Sequence, residues 1–325
     1  MRKKEIGGYF ELEESSGQEY YPELYRFNLG RTALLFLLEE LQIKKLWLPY
    51  FLCDSVTSRC GETGCQLQFY HIHSDFSPDL DIQPAADEYV YLVNYYGQLT
   101  DASIRFYQKK FRRIIVDHTH AFFQAPLPGV PTIYSCRKFF GLPDGAYLSA
   151  DIQPSSLPDM DTSFRRMEHI LGRYEEDAST YYGILHKNAD TFYQEPVKTM
   201  SRLTHNLLKS IDYPKARKKR QENYHYLQET LGAYSGKSFL TPEGPFCFPF
   251  YTDRGPELRK ALASQKIYVP TYWGNVLEEM PKNSVEYDMA ANILALPCDH
   301  RYDTEDMEAV ANAVIHFLQK SENPS

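Results

Sequence analysis

The apolar run Ile114-Ile115-Val116 ends in Asp117 and leads into His118-Thr119-His120-Ala121. A second apolar run reaches Tyr134 and gives way to Ser135-Cys136-Arg137-Lys138, followed by Phe139-Phe140-Gly141-Leu142-Pro143-Asp144-Gly145-Ala146. Two strand ends that deliver a carboxylate and a primary amine to one place match the needs of pyridoxal 5'-phosphate. The amine forms a Schiff base with the aldehyde, and the carboxylate pairs with the pyridinium nitrogen so that the ring stays an electron sink. Taken singly, each residue says little. A lysine after a strand is usually solvated, and an aspartate at a strand end usually caps or turns the chain. The order and spacing of the two, with a glycine-led helix start upstream at Gly30, carry the reading.

The elements that must position these groups follow from periodicity. Phe27-Asn28-Leu29-Gly30-Arg31-Thr32-Ala33-Leu34 runs into Leu35, Phe36, Leu37, Leu38 and Leu41, which predicts a helix opening at Arg31 or Thr32. Its free N–H groups make a natural anion site, although a lone Gly-Arg-Thr is also how an ordinary capped helix begins. Strands are predicted at 46–50, 66–71, 89–94, 114–116, 132–134 and 146–148, with helical stretches at 51–59 and 101–111 between them. Strands alternating with helices imply a mostly parallel α/β sheet. Ligands in such sheets sit beyond the carboxyl ends of the strands, so Pro49 to Phe51, Asn94 to Gly97, Asp117 to His120 and Ser135 to Lys138 should share one rim.

Elsewhere the pattern is less pointed. A short strand is predicted over 8–12, polar helical sequence over 161–193, and helix over 200–231 with a break at Asp212-Tyr213-Pro214. Strands at 246–251, 267–270 and 293–297, a helix at 256–264 and a last helix capped by Thr304 compose a smaller α+β unit. The expected organisation is an arm over 1–27, a large cofactor-binding unit over 28–232 and a small unit over 233–325.

At 325 residues, with 43% hydrophobic residues, the chain can bury a substantial core. A net charge of -8 argues against nucleic-acid binding, which needs clustered Lys and Arg on one face. Six scattered cysteines show neither a disulfide framework nor zinc spacing, so no metal is expected. With no apolar leader and no run long enough to span a bilayer, a cytoplasmic location is expected, without a membrane partner.

Several motifs in order resemble the DegT/DnrJ/StrS family of pyridoxal-phosphate sugar aminotransferases, from the Gly30 loop to the C-terminal helix. Leu29-Gly30-Arg31-Thr32-Ala33-Leu34 is similar to the family's phosphate loop, Pro49-Tyr50-Phe51 to its proline-aromatic segment, and Val93-Asn94-Tyr95-Tyr96-Gly97-Gln98 to its Val-His-Leu-Tyr-Gly-Gln stretch. Val116-Asp117-His118-Thr119-His120-Ala121 resembles Glu-Asp-Ala-Ala-Gln/His-Ala. Arg220-Gln221-Glu222-Asn223 resembles a family helix, and Leu294-Ala295-Leu296-Pro297 a late strand. Arg31 replaces a threonine, Asn94 stands where histidine is common, the segment before Lys138 is about two residues short, and the element reaching a partner's site has no clean match.

The resemblance implies the aspartate-aminotransferase-type (type I) fold and a homodimer. It also implies transfer of an amino group from an amino acid such as glutamate to a keto sugar, nucleotide-linked, in polysaccharide or secondary-metabolite biosynthesis. Lys138 would hold the aldehyde and Asp117 the ring nitrogen, with His120 near the phenolic oxygen and Tyr50 or Phe51 stacked on the ring. Gly30, Arg31, Thr32, Asn94 and Ser135 would complete the cofactor site. Two rivals stand beside this reading. A sugar dehydratase is disfavoured because Lys138 is present, and a non-catalytic binding or regulatory relative is motivated by the altered phosphate loop.

Overall fold

The computed structural model describes residues 6–193 and 195–322, so the first five residues of the expected arm lie outside the described residues. Seven strands form the main sheet: β1 (Tyr25–Phe27), β2 (Lys45–Pro49), β3 (Gln66–Tyr70), β4 (Tyr89–Val93), β5 (Ile114–Asp117), β6 (Thr132–Ser135) and β7 (Ala146–Ser149). They run in the order β1-β7-β6-β5-β4-β2-β3. The block β3-β2-β4-β5-β6 is parallel, while β7 is antiparallel to both β6 and β1. This is the expected mixed α/β sheet with a mostly parallel centre.

Central strands covered on both faces read as unbroken apolar runs, and Ile114, Ile115, Val116 and Ile133 are accordingly buried. Register then fixes the rim. Val93 lies opposite Asp117, and Asp117 opposite Ile133, so the strands carrying Asn94, Asp117 and Ser135 end side by side.

Three helices cross between these strands: α1 (Gly30–Glu40), α2 (Asp54–Glu62) and α3 (Asp101–Phe111). Helix α1 is buried from Thr32 to Leu38, which explains its unbroken apolar sequence. Then come α4 (Glu168–Glu175), α5 (Tyr182–Thr191), α6 (Arg202–Lys209) and α7 (Tyr213–Leu231). The predicted break is real but lies just ahead of Tyr213. Asp212 caps α7 through Lys215 N–H, and Pro214 occupies its first turn, where its missing N–H costs nothing.

The C-terminal part pairs β8 (Phe248–Tyr251) with β9 (Ile293–Leu296) antiparallel, accompanied by α8 (Gly255–Ser264), α9 (Val276–Glu279), α10 (Val285–Asn292) and α11 (Thr304–Glu322). A second core gathers Leu227 and Leu231 of α7 with Phe250, Leu258, Leu262, Leu296, Met307 and Val314. Phe246, Cys247, Met289 and Ile293 belong to the first core instead.

Three sequence expectations need correction. Residues 8–12 form no strand, because Tyr9 and Phe10 stand almost fully exposed with no strand edge beside them. Residues 25–27, assigned to the arm, are an edge strand paired with β7. Residues 267–270 are irregular: Val269 is buried in the second core, but Pro270 brings no N–H for a ladder. Among the described residues, no helix is long and apolar enough to cross a membrane.

Candidate active site

Asp117 ends β5 with its carboxylate buried. It accepts hydrogen bonds from the Tyr91 hydroxyl at 2.7 Å and from Thr119 N–H at 2.8 Å. Burial raises its pKa from the ordinary aspartate value, while those two donors and the Lys138 charge pull the other way.

Lys138 closes the short 3-10 turn Cys136–Lys138 that follows β6. Solvent reaches its side chain, yet protein surrounds the amine closely enough that burial is the main influence on it. Together these describe a side chain open to solvent along part of its length, with its amine packed close to protein. Burial lowers its pKa from the ordinary lysine value and Arg137 adds to the effect, while Cys53 and Asp117 oppose it. Its Nζ stands 4.7 Å from the ring centre of Tyr272 and 5.8 Å from that of Phe246. The attraction of an ammonium to a ring face supports that placement.

His120 is buried beside them and stacks on Phe246 at 4.3 Å, with Tyr96, Tyr272 and Trp273 around it at 5.3 to 5.5 Å. Its Nδ1 is buried with no hydrogen-bond partner. Burial first, and the Lys138 charge second, hold its pKa well below the ordinary histidine value, so the imidazole is neutral.

The proline-aromatic segment splits in two. Phe51 is fully buried against Trp273 at 4.4 Å and Tyr95 at 5.1 Å, in the aromatic group that reaches Lys138. Tyr50 lies instead against Phe69 and His71, 38% exposed, so its ring belongs to the outer side of β3.

Asn94 is committed to a turn. Its Oδ1 accepts from Leu99 N–H at 2.8 Å, and its amide donates to Gln124 Oε1 at 2.7 Å and approaches His118 Nδ1 at 3.2 Å. A histidine could not supply all of these bonds, which accounts for asparagine at this position.

At the start of α1, an added Cβ on Gly30 would meet Thr119 and Ile133 at 3.6 Å, placing the helix opening against the ends of β5 and β6. Thr32 turns inward: its hydroxyl accepts from Leu29 N–H and lies 2.6 Å from Asn28 Oδ1. Arg31 leaves Nη1 buried without a partner. Ser135 precedes the lysine turn, and its hydroxyl makes no hydrogen bond among the described residues.

Sequence reasoning brought out Asp117, Lys138 and His120 but missed the walls around them. Phe246, Tyr272 and Trp273 come from the C-terminal part, more than a hundred residues away, and Tyr91 is hidden inside a strand. Trp273, one of only two tryptophans, was the available signal. Two surface concavities, one lined by Gly17 to Arg26 with His205 and Lys209 and one by Pro126 to Asp151, hold none of these residues. Among the described residues, no group of His, Cys, Asp and Glu is arranged to hold a metal ion.

No family model and no curated protein matches the chain in sequence. Solved structures do match in fold. DesV from S. venezuelae, solved in complex with a ketimine intermediate, is 17% identical, with 90% of this chain and 84% of that one covered at a TM-score of 0.63. A DegT DnrJ EryC1 StrS aminotransferase from Brucella abortus is 13% identical, with 90% and 85% covered at 0.62. The sugar aminotransferase CalS13 from Micromonospora echinospora is 13% identical, with 90% and 87% covered at 0.60. The chain shares the fold of these aminotransferases over nearly its whole length.

Proposed function

We propose that the chain is a divergent member of the DegT/DnrJ/StrS family, a pyridoxal-phosphate aminotransferase that moves an amino group from an amino acid, glutamate for preference, to a nucleotide-linked keto sugar. The observation that carries the reading is a buried Asp117 carboxylate at the end of β5 and Lys138 on the turn after the neighbouring β6, its Nζ 4.7 Å from the Tyr272 ring centre, with each charge acting on the other. The residues fit the cofactor. His120 Nδ1 and Arg31 Nη1 are buried polar atoms lacking partners, one toward the lysine and one at the start of α1.

When bound, pyridoxal phosphate supplies the electron sink that makes the donor's Cα–H acidic. Lys138 would hold the aldehyde until the donor's amine displaces it, and its freed Nζ, with its pKa lowered by burial, would then be the base for the Cα proton. Asp117, braced by Tyr91 and Thr119, would hold the ring nitrogen and keep it protonated. Neutral His120 can donate a hydrogen bond toward the phenolic oxygen without adding charge. Phe51, Phe246, Tyr272 and Trp273 would supply the apolar side of the site. Asn94 and Thr32 serve this site through the backbone turns they hold.

A second copy of the chain completes the proposal. Met160, Phe164, Tyr174 and Tyr182 are each at least 60% exposed and are the apolar side chains a partner copy would cover. The biosynthetic role proposed is that of a cytoplasmic enzyme of polysaccharide or secondary-metabolite sugars.

The test is the visible spectrum of purified protein with added pyridoxal phosphate, before and after borohydride, with the reduced adduct mapped by peptide mass. An adduct on Lys138, followed by amino transfer from glutamate to a keto sugar, supports the reading. Absence of any adduct removes it.

A further inference from the structure

Arg31 and Arg137 are two guanidinium groups drawn into the protein without an acid to meet them. Among the described residues, neither makes an ion pair or a hydrogen bond through its side chain. Arg31 leaves Nη1 buried, and Arg137 lies flat on Phe192 with its guanidinium carbon 4.5 Å from the ring centre. Both residues are half-buried, and a guanidinium that leaves a buried donor empty, as Arg31 does at Nη1, is costly, the more so beside a second cation.

The carboxylates around them are already committed. Asp144 accepts from Ser201 N–H, Ser201 Oγ and Thr204 Oγ1. Asp161 accepts from Arg166 and pairs with Lys198. Asp54 binds Ser55 N–H. The second cation on Phe192, Arg166 at 4.6 Å, is the partner of Asp161 and so is satisfied.

The place of Arg31 sharpens the point. It is the second residue of α1, an eleven-residue helix with no acidic residue in its first turn, where the helix dipole disfavours a cation. The hydroxyl next to it, on Thr32, is spent on Asn28 and Leu29 and faces inward. Arg137 stands directly before Lys138, on the turn after β6, and Ile133 of β6 lies against the opening of α1. The charge of Arg31 acts on Arg137, whose pKa falls to about 10 through burial first and Arg31 second.

We propose that Arg31 and Arg137 form a two-arginine clamp for a phosphomonoester dianion, taking over from side-chain hydroxyls the grip on the cofactor phosphate. The clamp rests on the proposed cofactor. A guanidinium presents paired donors that match phosphate oxygens, and a dianion between the two would offset their repulsion and the helix-end penalty at once.

The experiment compares pyridoxal phosphate with pyridoxal, which has the same aldehyde and ring but no phosphate, by spectral titration of cofactor-stripped protein. Wild type is expected to prefer the phosphorylated ligand strongly. Arg31→Gln should cut that preference by about tenfold or more with pyridoxal affinity nearly unchanged, and Arg137→Gln, which also removes a charge acting on Lys138, should cut the ratio of the two affinities by a similar factor. Arg137→Lys, which keeps the charge, should retain part of it. Inorganic phosphate should compete with pyridoxal phosphate and raise the Tm of wild type but not of the double variant.

Preference unaltered in both Gln variants, or equal loss for the two ligands, would overturn the clamp. Should neither aldehyde bind wild type, the cofactor reading falls, and the phosphate Tm shift decides the clamp alone: a shift lost in the double variant supports it, and no shift in wild type sinks it.

Discussion

The Lys138 ammonium lies 4.7 Å from the centre of the Tyr272 ring, joining the turn after β6 to a residue 134 positions further along the chain. A ring face favours the charged amine by about 0.5–2 kcal/mol, against the downward pull of burial. Replacing Tyr272 by Leu should therefore move the pH midpoint for adduct formation at Lys138 downward. Tyr272→Phe, which keeps the ring, should leave it in place. An unmoved midpoint in the Leu variant would show that the ring does not hold the charge.

Lys138 makes no ion pair or hydrogen bond among the described residues, so its loss removes chemistry and little structure. Lys138→Ala should keep the circular dichroism and Tm of wild type, give no borohydride-trapped adduct, and lose at least about 10²–10⁴-fold in turnover. Full turnover in this variant would reassign the amine.

What the sequence disclosed and what it hid have physical causes. The positions of Asp117 and Lys138 at strand ends were legible because a strand buried on both faces has an unmistakable apolar pattern, and the polar residues that end it or follow within a turn land on the rim. The walls of the site were not legible. Phe246, Tyr272 and Trp273 reach it from irregular segments, where no period marks which side faces the site. Tyr50 and Phe51, adjacent and both aromatic, could be told apart only once Trp273 and Phe69 were seen to claim one each. The edge strand 25–27 was hidden because three residues are too few to show alternation.

Burial raises the Asp117 pKa from the ordinary carboxylate value. The stability this group contributes to the ligand-free protein is therefore fully present below that ordinary value and lost as pH rises through the folded pKa. Asp117→Asn removes the buried charge; its one Oδ1 can still accept from Thr119 N–H, and the Tyr91 hydroxyl can turn to accept from its Nδ2. The ligand-free variant should melt above wild type at neutral pH, by about 2–4 °C for each 1 kcal/mol relieved. The gap should close as the medium is acidified toward about pH 4 and wild type takes up its proton. The same variant should turn over slowly, having lost the partner of the ring nitrogen. A variant melting below wild type at pH 7 would show that the two donors already compensate the charge in full.

Arg220, buried in the middle of α7, holds the site together from behind. Its fork donates to Phe139 O at 2.7 Å, to Pro245 O at 3.0 Å and to Phe246 O at 3.4 Å, and its plane lies 4.7 Å from the Phe139 ring centre. Phe139 adjoins Lys138, and Phe246 is the wall on which His120 stacks, so one side chain fixes both the lysine turn and the segment facing it. Lysine has one ammonium and cannot reach carbonyls on two segments in that geometry. Arg220→Lys should therefore cost about 2–3 kcal/mol of stability, read as a lower Tm. At a temperature where the variant is still folded, adduct formation on Lys138 should slow, because the turn and the wall no longer share an anchor. An unchanged rate beside a lowered Tm would confine Arg220 to stability, and an unchanged Tm would mean that its three carbonyl partners are satisfied without it.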